Sequence, residues 1–316
     1  MHGMGDRTAH VGIYIPQVAA TFDELLDRVV ACERLGIDSF WLYDHLYAPG
    51  LPQHDALEGW TVATALLART TTLRVGHLVL DNNFRHPALL AKMATTLDVI
   101  SNGRLDLGIG SGSVGLEHDQ GGFPWGTLAE RTERLAEGLE IMTRMFTGEP
   151  TTFEGRWYQV HDVPNLPAPV QRPRPPIHVG GVGPKYTLPV VARYADVWNV
   201  PTYGLGVWRE REPALVAECE RIGRDPNEVR RSLEAVMVIA ADEAGLAEVR
   251  PRAERRYAGP GWGLEEGGFV GTPPAIVDRI GAYIEQGVTL FVFFLADRGE
   301  RDMMQLLAEE VMPHLP

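Results

Sequence analysis

Short apolar runs recur along the chain, each followed by a stretch with helical spacing, and this alternation constrains the fold more than any single motif. "HVGIYIP" reads as a strand; "TFDELLDRVVACERLG" follows as a helix, with Thr21 as N-cap and Gly36 as C-terminal stop. The unit repeats as "DSFWLY" with a helix at 59–70, "LRVGHLVL" with 87–101, and "RLDLGIG" with 129–147. After an interruption come "PIHVGG" with 184–195, "DVWNV" with 208–223, and a strand at 232–241 with a helix at 243–257. A helix at 274–286 leads into "VTLFVFFL" and a terminal helix from about 301. Eight apolar strands, each with a helix to cover it, predict an α/β fold closed as a (β/α)8 TIM barrel, residues 1–316 forming one domain. A doubly wound open sheet is the competing architecture. The interruption at 148–176 alternates like a hairpin in "TTFEGRWYQVHDV" and turns proline-rich in "PNLPAPVQRPRPP". It reads as an insertion after the fourth helix, because βα units resume at once.

Charge narrows the partners. With 42 acidic against 29 basic residues, the net charge of −13 argues against a nucleic-acid or anionic-membrane surface, both of which need a basic face. Only Lys92 and Lys185 are lysine. Cys32 and Cys219 lie in amphipathic helical patterns without metal-type spacing, as buried thiols of a reducing compartment do. No His/Asp pattern has the spacing of a zinc site, so no metal is expected. "MHGMGDRTAH" has no apolar leader core and no window approaches a membrane span, which points to the cytoplasm.

Gly110, Gly112 and Gly115 in "LGIGSGSVG" spell the dinucleotide fingerprint G-x-G-x-x-G after an apolar strand. The fingerprint requires a helix opening on the glycines and an acid at a strand end about 20 residues later. "LEHDQGGFPWG" is expected not to be helical, and Glu130 and Glu133 fall inside a helical pattern. The glycines therefore serve another purpose.

In a barrel, ligands bind where the strands end. Strand two ends in Asp44-His45, strand three in Asp81-Asn82-Asn83, strand four in the glycine stretch, strand five in "GGVGPK", and strand six in Trp198-Asn199. Small residues after strand four let a flat ring approach the rim. Glycines before a helix, with Pro184 near its first turn and Lys185 beside it, make an anion seat. His77 and His178 divide evenly between core and site, whereas His86, before a helix, reads as structural. The segments 113–127 and 258–272, rich in glycine and carrying tryptophan, read as substrate-selecting lids.

The set "WLYDHL", "LRVGHLVLDNNFRHPALLAKMATTLDVISNGRLDLGIGSG", "LAERTERLAEGLEIMTRMFTGEPTTFEGRWY", "PRPPIHVGGVGPKYTLPVVARYADVWN" and "GTPPAIVDRIGAYIEQGV" resembles the luciferase-like monooxygenase superfamily, and within it most nearly the deazaflavin (coenzyme F-420) dependent oxidoreductases. The resemblance runs over nearly the whole chain and implies the bacterial luciferase-like form of the barrel. It implies that Asp44 and His45 lie beside the cofactor's central ring, and that Leu78-Val79 holds a non-prolyl cis peptide forming a bulge behind it. Gly110, Ser111 and Gly112 would line the ring; Gly180, Gly181 and Gly183, with Lys185, would seat the phosphate. In one departure, certain deazaflavin-dependent sugar-phosphate dehydrogenases carry a glutamate right after the strand-four glycines, where this chain has Ser113; a glutamate comes only at Glu117.

The activity so implied is hydride transfer between coenzyme F-420 and an unidentified small organic substrate. His45 would be the general acid/base, with Asp44 orienting it or bonding the cofactor. An FMN-dependent monooxygenase, or a flavin-binding protein without turnover, fits the same ring site; basic residues for a polyglutamate tail would discriminate. The resemblance also implies a homodimer.

Overall fold

A computed structural model describes residues 8–257, 259 and 262–316. In chain order, β1 (His10–Tyr14), α1 (Phe22–Leu35), β2 (Ser39–Leu42) and α2 (Gly59–Arg69) form the first two units. The third strand is split into β3 (Arg74–His77) and β4 (Leu80–Asp81), ahead of α3 (Pro87–Ser101) and β5 (Leu105–Gly110). Next come α4 (Gly115–Gly121), α5 (Leu128–Met145) and the antiparallel hairpin β6 (Thr151–Glu154) with β7 (Gln159–Val163). Then follow β8 (Ile177–Gly180), α6 (Thr187–Tyr194), β9 (Val197–Val200), α7 (Trp208–Arg221) and β10 (Arg230–Ile239). The chain closes with α8 (Glu243–Tyr257), α9 (Leu264–Gly267), β11 (Phe269–Gly271), α10 (Pro273–Ile284), β12 (Val288–Leu295) and α11 (Arg301–Leu306).

The strands run parallel in the order β10-β12-β1-β2-β3-β5-β8-β9, and β9 pairs back onto β10, so the sheet is a closed eight-strand barrel with no free edge. β11 lies outside the ring as an extra strand on β10. The open-sheet alternative is thereby eliminated.

Local signals set the units. Thr21 caps α1 by accepting the backbone N–H of Glu24, whose carboxylate accepts that of Thr21, and Gly36 ends the helix at φ 75°. Leu25, Val29 and Cys32, spaced by four and three residues, are the face of α1 laid on the barrel. Each aliphatic side chain so buried contributes about 1.5–3 kcal/mol. Cys32 and Cys219 are free, buried thiols.

The two ends of the barrel differ in chemistry. Near the strand N-termini, Arg74 clamps Asp106 through Nε and Nη2, both at 2.8 Å, and His178 Nε2 lies 3.3 Å from the same carboxylate. Burial opposes the Asp106 charge, but Arg74 and His178 outweigh it and hold the carboxyl below the usual range. His178 thus belongs to the core at the end away from the loops. His77, fully buried, stacks on Trp60 with ring centroids 5.6 Å apart, and burial holds its imidazole down near a pKa of about 4. His86 caps α3, with Nδ1 3.3 Å from the N–H of Ala88.

The Leu78–Val79 peptide is cis, as the resemblance implies, and it lies between β3 and β4. One feature departs from the sequence reading. The segment expected not to be helical contains α4, a seven-residue helix ended by Gly122 at φ 69°. Its glycine-rich sequence has poor intrinsic propensity; the contacts of Glu117 and His118, described next, hold it in place.

Candidate active site

At the C-terminal end of β2, the backbone of Tyr43 is clipped on both sides by Gln17, whose amide donates to the Tyr43 carbonyl (2.8 Å) and accepts its N–H (3.3 Å). This fixes the direction in which the next two residues leave the barrel. Asp44 turns inward and is 6% exposed. Arg85 meets both its oxygens, at 2.7 and 2.8 Å, and the Asp81 N–H donates to it at 2.8 Å. Burial pushes the Asp44 carboxyl upward, with Arg85 working against that shift. Arg85 also reaches Glu58, the N-cap of α2, at 2.6 Å. Asp44 is therefore a brace that ties the β2–α2 and β4–α3 connections together.

His45 turns the other way. Its Nδ1 lies 2.6 Å from Glu117 Oε2, and Glu117 Oε1 accepts the backbone N–H of Leu46 at 2.7 Å. Glu117 is 1% exposed; His45 remains half-buried and lines an open cavity. The expectation that Asp44 orients His45 is corrected: Asp44 is engaged by Arg85, and the orienting carboxylate is Glu117, brought from 72 residues downstream by α4. A single chain offers little signal for such a pair, though the glutamate's delay from Ser113 to Glu117 fits one turn of an unforeseen helix.

The next residue of α4 makes a second pair. His118 Nε2 lies 2.9 Å from Asp81 Oδ2 and Nδ1 lies 2.8 Å from the Pro124 carbonyl. Asp81 also accepts the backbone and side-chain N–H of Asn83, each at 2.8 Å. Phe84 and Trp125 cover the His118 ring at 4.9 and 4.4 Å between centroids.

The glycines at the rim have specific neighbours. A Cβ at Gly110 would stand 2.7 Å from Val79 Cγ2, and one at Gly180 would stand 3.2 Å from Val79 Cγ1. These glycines make room for Val79, which projects from the cis step into the barrel centre. At Gly112, where φ is +86°, a Cβ would meet Asp81 Oδ2 at 2.5 Å. Ser111 joins this layer through its carbonyl, which accepts the Asn83 amide at 3.0 Å.

After β8, Gly181 (φ +122°) and Gly183 pack on Thr187, with Cβ positions 3.2 and 3.1 Å from its side chain. Gly183 O accepts the N–H of Thr187 and Leu188. The helix begins at Thr187, three residues later than the sequence suggests, so Pro184 and Lys185 sit in the loop before it. Lys185 is exposed, its Nζ 5.0 Å from the Tyr186 ring centroid.

The cavity beside His45 measures about 350 Å3. Tyr14, Tyr43, Tyr257, Trp262 and Phe294 line it, with Arg256 and Arg298. The Tyr43 hydroxyl is buried in its wall without a partner, and burial raises its pKa. In the expected 258–272 lid, positions 258, 260 and 261 lie outside the described residues, while Trp262 reaches the cavity. Sequence reading also missed Glu234, a partly buried acid in the apolar strand β10 whose carboxyl burial pushes up to about 7. A lone acid among apolar strand residues was its signal.

Among known proteins, the family model described as luciferase-like monooxygenase matches residues 6–261. The chain is 29% identical to an F-420-dependent glucose-6-phosphate dehydrogenase of Microbacterium testaceum over 93% of each chain. Its structure superposes on coenzyme F-420-dependent tetrahydromethanopterin reductase from Methanopyrus kandleri with a TM-score of 0.79 and 19% identity, covering 98% and 99% of the two chains. A monooxygenase from Streptomyces bottropensis matches with a TM-score of 0.75 and 22% identity, covering 96% and 99%.

Proposed function

This chain belongs to the luciferase-like monooxygenase family, and from that premise we propose that it transfers a hydride between the deazaflavin coenzyme F-420 and a small organic substrate. The observation that carries the reading is the 2.6 Å contact of His45 Nδ1 with the buried carboxylate of Glu117, at the edge of an open cavity. With Glu117 accepting the Nδ1 proton, Nε2 is the nitrogen left for exchange with a ligand. The relatives named as F-420-dependent support the choice of cofactor.

The residues present fit a flat ring with polar edges. The aromatic-walled cavity beside His45, with the unpartnered Tyr43 hydroxyl, would take the substrate that meets one face of that ring. Gly110, Ser111 and Gly112 would face the ring edge, with Leu78 and Val79 behind it, while Gly180, Gly181 and Gly183 with Lys185 would take the phosphate. Bound there, the deazaflavin supplies a carbon that accepts or gives hydride. His45 Nε2 takes the hydroxyl proton of an alcohol substrate as its carbon is oxidised to a carbonyl, and returns it in the reverse direction. Glu117 fixes the imidazole tautomer and ring plane, and stabilises the imidazolium once it forms. Asp44, through Arg85, keeps the His45 loop rigid.

A fluorescence titration of the purified protein with F-420 and with FMN tests this. F-420 should bind in the micromolar range or tighter, and FMN more weakly. Equal or tighter binding of FMN would overturn the cofactor assignment.

A further inference from the structure

Among the described residues that line the His45 cavity the charged side chains are two arginines, although the Glu117 carboxylate stands behind His45 and Glu234 acts on Tyr14. Arg256 and Arg298 line it, His54 joins them, and among the described residues no aspartate or glutamate lines it, in a chain of net charge −13. Neither arginine has a carboxylate within ion-pair distance among the described residues. Arg298 donates to the Val18 carbonyl, and Arg256 lies over the Tyr257 ring, 5.4 Å from its centroid. The nearby Asp297 is spent on the backbone N–H groups of Gly299 (2.9 Å) and Met303 (3.2 Å). Burial, with the neighbouring charges of Arg256 and Arg28, holds Arg298 below the ordinary arginine value. Two guanidinium groups thus repel each other at a cavity wall, an arrangement that a bound anion relieves.

Apart from the tyrosine hydroxyls and the two imidazoles, the rest of the wall is apolar. Tyr257, Trp262 and Phe294 form a three-ring cluster with centroids 5.1 to 5.2 Å apart, and Tyr14 joins Phe294 at 5.9 Å. Val18, Ala19 and Leu51 add aliphatic surface. A polyol placed here would find partners in the tyrosine hydroxyls and His45 but none along the aromatic and aliphatic wall, at a cost of about 1–3 kcal/mol for each hydroxyl left unsatisfied.

We infer that the cavity beside His45 binds the substrate as an organic anion, carboxylate or phosphate, whose body is apolar or aromatic, with Arg256 and Arg298 holding the anionic end. The inference rests on the reading of His45 as the proton-exchanging group only in giving this cavity to the substrate. It departs from a hexose phosphate in the body of the molecule, not in the charge.

The test is calorimetric titration of the cofactor-free protein with phenyl phosphate, phenylacetate, benzyl alcohol and glucose 6-phosphate. The aromatic anions should bind at least ten-fold tighter than benzyl alcohol, and glucose 6-phosphate should bind more weakly than phenyl phosphate. In the R256Q/R298Q double variant the advantage of the anions should vanish. Raising salt should weaken phenyl phosphate binding to the unaltered protein several-fold, which tests the charge without any variant. Equal binding of anion and alcohol, tighter binding of glucose 6-phosphate, or an unchanged double variant overturns the inference. A parallel F-420 titration of the double variant separates the other source of anionic groups, the cofactor's own tail. A ten-fold loss there with phenyl phosphate binding intact would give the arginines to the cofactor and also overturn it. Because the probes are titrated without cofactor, a failed F-420 assignment leaves these outcomes readable.

Discussion

Two consecutive residues of α4 make the same kind of contact with opposite surroundings. Glu117 reaches His45 at 2.6 Å, and His118 reaches Asp81 at 2.9 Å. In the first pair the carboxylate is buried and the imidazole half-open to a cavity; in the second, both partners are enclosed and the ring is covered by Phe84 and Trp125. A buried imidazole with both nitrogens engaged has no atom to offer a ligand, so it serves the fold. One with a single engaged nitrogen at a cavity edge has Nε2 to spare. Residue type and pairing are shared; the exposure of one ring edge separates structure from chemistry.

The sharpest test of this contrast is removal of the enclosed partner. His118→Ala leaves a cavity and an Asp81 carboxylate short of a donor, and should cost about 3–5 kcal/mol in a urea denaturation. A loss under 1 kcal/mol would break the comparison. His45→Ala should do the reverse, with turnover falling about 100-fold or more while F-420 affinity and the urea midpoint change little. A loss confined to cofactor binding would remove His45 from proton transfer. Glu117→Gln preserves shape and removes the charge that stabilises the imidazolium; kcat should fall about ten-fold, roughly 1.4 kcal/mol, with KM unchanged. A matching rise in KM would assign Glu117 to binding instead. The smallest effect belongs to Lys185, exposed and beside only an aromatic ring. Lys185→Ala should weaken F-420 binding by about 0.3–1 kcal/mol at low salt and leave kcat at saturation intact. An unchanged dissociation constant would give the anion seat to the backbone alone.

What the sequence disclosed follows range. Thr21, Gly36 and the alternation of apolar runs act over a few residues, and they led directly to the barrel and to the strand ends that carry His45 and the glycines. The partners of those residues were illegible for the same reason. Glu117 meets His45 across 72 positions, and Arg256 and Arg298 share a cavity wall with residues from the first turn of the barrel. Such meetings are made by closure of the sheet, which periodicity implies without naming the contacts. The rim glycines are the intermediate case. Their position was readable, but the close fit of Gly110 and Gly180 against Val79 was not.

That packing makes positions 79, 110 and 180 a single unit of variation. A methyl added at Gly110 collides with Val79, so Gly110→Ala should be tolerated only where Val79 has become smaller, and the two changes together should be less harmful than their separate effects sum to. Gly108 stands outside the unit, since a Cβ there would lie 1.8 Å from the His77 carbonyl oxygen and no side-chain exchange relieves a backbone collision. A library that reshapes the barrel rim one residue at a time would therefore discard its useful members, and one that draws residues 79, 110 and 180 jointly, with 108 held as glycine, would keep them.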